Sequence, residues 1–348
     1  MLAGSSTYEA RSFAAGPNLY VSNESPSQIL VFAPTRENGD MPPIWSIAGS
    51  KTHLKLPQAL AFGPTGELFV ANNDVSGPNT SILVFAPHAK GNVAPIRWIH
   101  GAATMFPLNI FMGIDVDKTG RLYAAMGGGA TPQDGSPVFV FAAGANGNTA
   151  PIHILVGPSP TINNLGSAGG LAIDTTAAPS KALVLSDAGI DLAPPFQHHR
   201  KLERYSLAAS GPAQPVCVIR GPLTGMDANQ AFAGPVTVHN GDIWAQILGP
   251  SPTNLPTISG FHGCGNIAPV ATLAGSNTGF DTGNAFVSGL VFDKLGHLYV
   301  SDYVGNPNSL GSVQIFFGPN FNGNIAPDEV LHGPKTKITY PMGIAIGP

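Results

Sequence analysis

Short apolar runs separated by glycine, proline and asparagine recur along the whole chain. The clearest unit has such runs at 60–62, 67–71, 82–85 and 96–99, with the turn Gly63-Pro64-Thr65-Gly66 between the first two. The runs are rich in β-branched and aromatic residues, which favours strands. No stretch repeats its apolar residues every 3.6 positions, so the pattern predicts almost no helix. Each unit is therefore predicted to form four antiparallel strands.

Two recurring positions define six units. An aromatic residue stands in each predicted third strand, and a glycine follows each predicted fourth strand. The aromatic residues are Phe32, Phe85, Phe141, Tyr205, Phe261 and Phe316. The closing glycines are Gly49, Gly101, Gly157, Gly221, Gly275 and Gly333. A linker with Gly-Asn and then Ala-Pro precedes several of the fourth strands. Six four-stranded units around an axis predict an all-β protein, a six-bladed β-propeller.

One unit is divided between the two ends of the chain. Residues 341–348 supply an opening strand, and the chain from Asn18 supplies the three strands that follow it. Such a division closes a ring, and an open solenoid does not need it. We therefore expect a single domain at 18–348 after a flexible leader at 1–17. Its blades are expected at about 18–49 plus 341–348, 57–101, 111–157, 168–221, 233–275 and 287–333.

Small residues on the predicted first strands support the same architecture. Blades of a propeller are closest together near the axis, so side chains there must be small, whereas large ones belong further out. The small residues are Ala59, Ala61, Gly113, Gly170, Ala172, Gly289, Gly343 and Ala345.

The composition excludes two classes of function. Only 10% of the 348 residues are charged, the net charge is −4, and no basic block occurs. Nucleic-acid binding requires clustered Lys and Arg, so no nucleic-acid partner is expected. No apolar run approaches the roughly 18 residues of a membrane-spanning helix, so no transmembrane segment is expected.

The two cysteines fall in neighbouring units. Cys217 and Cys264 belong to the fourth and fifth units, in the outer part of each predicted blade. The expectation is two unpaired thiols, and a disulfide that joins the outer rims is the alternative.

The N-terminal segment bears on localisation. Leu2-Ala3-Gly4 followed by Ser5 resembles a bacterial lipoprotein cleavage box that lacks its cysteine. The alternatives are a lipid-anchored native precursor and a polar leader without a role. Few charges and many Asn, Thr, Gly and Pro residues are typical of exported proteins, so we expect an extracellular or periplasmic location.

Three segments carry a family resemblance. They are Pro341-Met342-Gly343-Ile344-Ala345, the ten residues DKLGHLYVSD at 293–302, and Ile29-Leu30-Val31-Phe32. This pattern, which extends from Asn18 to Pro348, resembles NHL-repeat propellers and their six-bladed exported bacterial relatives. The resemblance implies the fold and leaves the function open, because propellers of this kind include enzymes, ligand binders and scaffolds.

The enzymes that share this ring allow two tests for a metal. Gluconolactonase-like propellers hold Ca²⁺ at the channel mouth with Asp, Asn and Glu side chains. The matching positions here, none of them a carboxylate, are Gln58, Met112, Gly169, Gly234, Ser288 and Met342. Amidating-lyase-like propellers use converging histidines on zinc, but the ten histidines here are scattered and only His198 and His199 are adjacent. We expect no metal and no cofactor.

Loop lengths indicate the side of the ring on which function is expected. The connections between second and third strands are long at 73–80, 127–137, 188–201, 248–257 and 303–312. The opposite turns, at 63–66 and 117–120, are tight. Long loops on one face favour a binding role there, although neutral drift in tolerant loops is the alternative.

Two kinds of position outside the longest loop are candidates, the ends of the second strands and the small positions of the first strands. Four of the six second strands end in Asn or Asp, namely Asn23, Asn72, Asp187 and Asp302. These side chains are expected to form local hydrogen bonds, and a ligand-binding ring is the sharper alternative. Asp115 is the single carboxylate among the small positions of the first strands, so it must be hydrated, paired or functional.

The longest loop, at 188–201, is the strongest candidate for recognition of a ligand or partner. It brings charged, aromatic and imidazole groups together in a chain that is poor in charge. With the strand-end and inner positions, the candidate ligand or partner residues are Asp115, Asp187, Asp191, Phe196, His198, His199, Arg200, Asp302 and Tyr303.

Two functions remain open at this point. The first is a non-enzymatic exported propeller that binds a protein, glycan or small ligand through its loop-rich face. The alternative is a lactonase-like hydrolase or lyase in the central funnel, which would use Asp115, Asp187, Asp302 and His198 or His199.

Overall fold

The chain forms six four-stranded antiparallel sheets arranged in a ring. The structure is a computed structural model that describes residues 17–33, 38–73, 80–106, 111–126, 137–156, 168–175, 182–187, 200–226, 234–248, 256–279, 285–304 and 310–348. Within these ranges the only helices are five 3-10 helices of three residues: Ser50–Thr52, Ala102–Thr104, Pro222–Thr224, Ser276–Thr278 and Pro334–Thr336. The predicted fold class is confirmed.

The strands follow one another from the axis to the rim. Blades 1 and 2 contain β1 (Asn18–Asn23), β2 (Gln28–Phe32), β3 (Trp45–Ile47), β4 (Pro57–Phe62), β5 (Leu68–Asn72), β6 (Ser81–Phe85) and β7 (Arg97–Ile99). Blades 3 and 4 contain β8 (Phe111–Val116), β9 (Leu122–Met126), β10 (Val138–Phe141), β11 (His153–Leu155), β12 (Ala168–Asp174), β13 (Ala182–Asp187), β14 (Lys201–Ser206) and β15 (Cys217–Ile219). Blades 5 and 6 contain β16 (Val236–His239), β17 (Asp242–Leu248), β18 (Pro256–Phe261), β19 (Ala271–Leu273), β20 (Ala285–Phe292), β21 (Leu298–Val304), β22 (Ser312–Phe316) and β23 (Glu329–His332). The last strand is β24 (Pro341–Gly347).

The last strand closes the ring, as predicted. β24 pairs antiparallel with β1 from Asn18↔Gly347 to Asn23↔Pro341 and becomes the innermost strand of blade 1. The Tyr20 hydroxyl donates a hydrogen bond of 2.6 Å to the carbonyl oxygen of Pro348. The innermost strands β24, β4, β8, β12, β16 and β20 contact one another in sequence around the axis. This contact requires small residues, because a Cβ on Gly113 would lie 2.6 Å from the Leu171 backbone nitrogen.

The linker before each outermost strand joins a blade to its neighbour through a glycine, which Asn follows in four of the six blades. The linker glycine forms a parallel bridge to the outermost strand of the preceding blade, as in Ile47↔Gly91 and Ile99↔Gly147. In blade 2, Asn92 Oδ1 then accepts a 2.7 Å hydrogen bond from Lys51 N. The same bond links Asn148 to Ala103, Asn266 to Leu223, Asn324 to Asn277 and Asp40 to Lys335. We call this arrangement the inter-blade clasp.

The clasp also explains the closing glycines. Gly49 has φ +118°, a conformation that side chains disfavour, and a Cβ there would lie 2.6 Å from the Asn92 side chain. The sequence showed both motifs, but only the fold shows that one blade's asparagine packs on the closing glycine of the blade before it.

The expectation of two unpaired cysteines is wrong. Cys217 and Cys264 form a disulfide with Cα atoms 5.5 Å apart. The reason lies in the clasp. Cys264 precedes Gly265 as Asn146 precedes Gly147, and Asn146 Oδ1 accepts a hydrogen bond from Trp98 N in the preceding outermost strand. The residue before the linker glycine therefore faces the outermost strand of the preceding blade. For Cys264 this strand is β15, which begins at Cys217, so the two sulfur atoms lie close enough to form a disulfide.

Removal of this covalent link has a predictable effect on stability. The bond closes a loop between residues separated by 47 positions, and a loop of that size contributes about 4 kcal/mol. We expect Cys217→Ser/Cys264→Ser to lower the free energy of unfolding by about 3–5 kcal/mol in denaturant titrations. Dithiothreitol should destabilise the wild type and leave the double variant unchanged. Equal stability of both proteins under oxidising conditions would contradict this prediction.

Candidate functional site

The described part of the central channel is small and is lined by both polar and apolar groups. The cavity between the innermost strands measures about 90 Å³, and its lining includes Gln58, Ser288 and Met342, three of the positions assigned to the mouth from sequence. Sites for organic ligands typically measure about 300–1,000 Å³. This part of the channel therefore accommodates a few water molecules rather than a substrate.

Asp115 links two innermost strands. Its Oδ1 accepts a 2.7 Å hydrogen bond from Val116 N, and its Oδ2 accepts one of 2.8 Å from Ile173 N in blade 4. Burial raises the pKa of Asp115 to about 6, although the two N–H donors oppose the shift. The carboxylate thus accepts backbone N–H groups from β8 and β12 and links these two innermost strands, which is a structural role.

Two of the strand-end residues hold the chain that enters an innermost strand. Asn23 Oδ1 accepts hydrogen bonds from Thr339 N at 2.9 Å and from Tyr340 N at 3.0 Å, just before β24. Asn72 Oδ1 accepts one of 2.7 Å from Lys55 N, just before β4. These side chains thus form local hydrogen bonds. They join the end of a blade's second strand to the residues that precede the first strand.

Asp302 and Tyr303 lie at the end of β21 in blade 6. The Ser312 hydroxyl donates to Asp302 Oδ1, and Gln314 Nε2 donates to the same atom at 3.1 Å. The ring centroid of Tyr303 is 4.2 Å from that of Tyr340. Both residues are therefore engaged by neighbouring side chains.

The strongest candidate site is a group of buried charges in blade 4. Lys201 Nζ lies 3.4 Å from Asp187 Oδ2 and 2.9 Å from Glu203 Oε1. The Tyr205 hydroxyl donates a 3.2 Å hydrogen bond to Glu203 Oε2. All four residues are buried, as is Arg200, the residue before β14. We call Asp187, Lys201, Glu203 and Tyr205 the blade-4 charge cluster.

The register of blade 4 explains why these side chains meet. Asp187 pairs directly with Lys201 across β13 and β14. Alternate residues of a strand share a face, so Lys201, Glu203 and Tyr205 lie on the same side of β14. Tyr205 packs in a core with Tyr123, Val138 and Val140 of blade 3. The blade-4 charge cluster therefore lies at the junction of blades 3 and 4, on the side where the 188–199 connection leaves and re-enters the sheet.

Burial dominates the electrostatics of this cluster. It raises the pKa of Glu203 to about 7, the Lys201 ammonium opposes the rise, and the Asp187 carboxylate adds to it. The Lys201 ammonium thus contacts both carboxylates in a buried setting. Such perturbed groups are common at functional sites, although structural ion pairs also produce them.

The structure separates the candidates for the enzymatic alternative. Asp115, Asp187 and Asp302 belong to blades 3, 4 and 6, and each is held by a different set of partners. Asp191, Phe196, His198 and His199 lie outside the described residues. Within the described ranges, no group of three or more His, Cys, Asp or Glu side chains is arranged to hold a metal ion.

Sequence reasoning missed Glu203 as a candidate. The signal was available in Lys201-Leu202-Glu203-Arg204-Tyr205, where three of five residues of a strand are charged and Lys201 and Glu203 share one face. The corresponding strand of blade 2 reads Ser81-Ile82-Leu83-Val84-Phe85 and is wholly buried. A charged residue at a strand position that is apolar in another blade indicates a candidate functional site.

In the described part of the chain, no helix has the length and apolar character needed to cross a membrane.

Comparison with known proteins supports the fold. The sequence matches no protein-family model and no curated protein sequence. The structure resembles a protein of unknown function from Bacteroides caccae, with a TM-score of 0.57, 10% identity, and coverage of 95% of this chain and 99% of the other. It also aligns with a protein from Lactobacillus plantarum, with a TM-score of 0.45, 11% identity, and coverage of 87% and 79%. At these identities the first similarity shows a shared fold and carries no activity across.

Proposed function

We propose that this protein is a non-enzymatic, exported β-propeller that binds a protein, glycan or small ligand through its loop-rich face, at the junction of blades 3 and 4. The observation that carries this proposal is the blade-4 charge cluster. Replacing a buried ion pair by apolar residues of similar volume often stabilises a protein. Stability alone therefore does not account for three buried charges in a chain with 10% charged residues.

The position of the cluster connects it with the loop-rich face. Asp187 ends β13 and Lys201 begins β14, so their ion pair ties the two ends of the 188–199 connection together. A fixed base positions the residues of a binding loop and reduces the entropy lost on binding. The loop sequence, with Asp191, Phe196, His198 and His199, supplies the groups for recognition.

Two observations support export and the relationship to NHL-repeat propellers. Disulfides persist in oxidising compartments and are rare in the cytosol, so the Cys217–Cys264 bond favours an extracellular or periplasmic location. The six-bladed ring with its split first blade is the architecture that the NHL-like pattern implies. The small volume of the described channel argues against catalysis in the central funnel and so favours a binding role.

A loop replacement tests the proposed binding face. We expect a variant in which Asn-Gly replaces residues 188–199 to melt close to the wild type. It keeps a three-residue connection, Asn-Gly-Arg200, between the paired residues Asp187 and Lys201, and hairpin loops of three residues are common. Binding of the wild type to a printed panel of defined oligosaccharides and synthetic peptides should be lost in this variant. Lys118→Ala, in the tight turn of blade 3, is the matched control and should bind normally. Normal binding by the shortened protein, or no binding by the wild type, would refute the proposal.

A further inference from the structure

A second candidate site lies on the opposite side of the ring, among the tight turns. A cleft of about 990 Å³ opens where blade 1 meets blades 2 and 6. Its walls include Trp45 and Ile346 of blade 1, Phe62 of blade 2, and Val291, Phe292 and Lys294 of blade 6. We call it the tight-turn cleft. Its volume is at the upper end of the range of roughly 300–1,000 Å³ that is typical of small-molecule sites.

The aromatic walls of the cleft are fixed by packing on both sides. Phe62 contacts Tyr20 edge to face with ring centroids 4.9 Å apart. Phe292 stacks on His239 at 4.3 Å and meets Trp244 edge to face at 5.5 Å. Because these rings are held before any ligand arrives, little side-chain entropy is lost when an apolar group enters between them. The cleft is therefore a preformed apolar site.

The rim of the tight-turn cleft carries an exposed cation, Lys294, that can contact a ligand. Asp293 Oδ1 accepts hydrogen bonds from Leu295 N at 2.8 Å and from His297 N at 2.9 Å. This carboxylate therefore stabilises the turn in which it lies. Lys294 is exposed, and the described residues give it no ion pair. His88, on a turn of blade 2, adds a second basic side chain to the lining.

We propose that the tight-turn cleft binds a small amphipathic organic anion. The apolar body lies between Trp45, Phe62 and Phe292, and the acid group lies at the rim against the Lys294 ammonium. This arrangement follows the usual composition of ligand sites, in which apolar walls supply affinity and a few polar groups fix orientation. The proposed cleft is independent of the binding face at blades 3 and 4, which lies on the other side of the ring.

The probe for this site is 8-anilinonaphthalene-1-sulfonate, an aromatic anion whose fluorescence rises in apolar surroundings. We expect it to bind the full chain in a 1:1 complex with a dissociation constant in the micromolar range. Competition by dodecanoate and by 3-phenylpropionate then shows whether the apolar part of the preferred ligand is aliphatic or aromatic, because the acid that displaces the probe at the lower concentration has the preferred apolar part. Dodecanol should compete less well than dodecanoate, because it lacks the acid group. The site proposal is overturned if neither acid displaces the probe or if dodecanol competes as well as dodecanoate.

The chain provides a closely matched pair of variants. Lys294 and Lys118 both follow the aspartate of a tight turn, in blades 6 and 3, and only Lys294 lines the cleft. Lys294→Glu should weaken probe binding about tenfold by replacing attraction with repulsion, whereas Lys118→Glu should change it less than about twofold. Equal weakening by both variants would show a general charge effect and overturn the proposal. Binding that appears only after removal of residues 1–16 would also overturn it, because the chain itself would then occupy the cleft.

Discussion

Deletion of residues 341–348 is expected to open the ring and to lower the melting temperature by about 10 °C or more, or to prevent folding. The deletion leaves β1 with an unpaired edge and removes Ile344 and Ala345 from the cores on either side of blade 1. It also ends the contacts that β24 makes with β4 and β20, the neighbouring innermost strands. Thermal unfolding followed by circular dichroism measures the effect.

Peptide complementation provides the control for this truncation. A synthetic peptide of residues 339–348 can add to the exposed edge of β1 as the missing strand, and it should recover part of the lost stability. A peptide with the same composition in scrambled order should not. A truncated protein that melts within about 2 °C of the full chain would contradict closure by β24.

Lys201→Met is expected to cost about 3–5 kcal/mol of unfolding free energy at pH 8, because it removes the buried ammonium that contacts the carboxylates of Asp187 and Glu203. The cost should be smaller at pH 5, where a protonated Glu203 needs no cation. Lys201→Met/Glu203→Gln should recover much of the loss. Urea titrations at both pH values measure these effects. Lys118→Met, an exposed control, should change stability by less than about 0.5 kcal/mol.

The wild type should show a related dependence on pH. The pKa of Glu203 in the folded protein, about 7, lies above the value of 4.5 for an unperturbed glutamate. A raised carboxyl pKa favours the protonated form, so its contribution to stability is present below pH 4.5 and is lost as the pH rises to 7. Glu203→Gln should flatten this part of the stability profile. A loss of stability in Lys201→Met that is the same at pH 5 and pH 8 would contradict the assignment.

The architecture was predictable because each blade repeats the same physical solution. Apolar runs and turn residues recur in every unit, and small inner positions such as Gly113 and Gly343 recur in five of the six. A unit whose pattern is weak can therefore be assigned by comparison with the others. The split of blade 1 between the two termini then fixed ring closure. Local pattern was sufficient for these features because neighbouring strands in each blade are also neighbours in sequence.

Features that depend on contacts between blades were harder to predict. The pairing of Cys217 with Cys264 follows from the inter-blade clasp, whose geometry is not a property of either segment alone. The same holds for Asp115, whose partner Ile173 lies on the next innermost strand. Asp187 was selected from its place at a strand end, yet its role depends on Lys201 and Glu203, which only the register of β13 and β14 brings together.

The position of a bound ligand tests the proposed binding face most directly. A crystal structure of the protein with the tightest-binding oligosaccharide or peptide from the panel gives this position. We expect ligand density on the loop-rich face over blades 3 and 4, above Asp187 and Lys201. Density for that ligand inside the central channel, or on the tight-turn face instead, would contradict it.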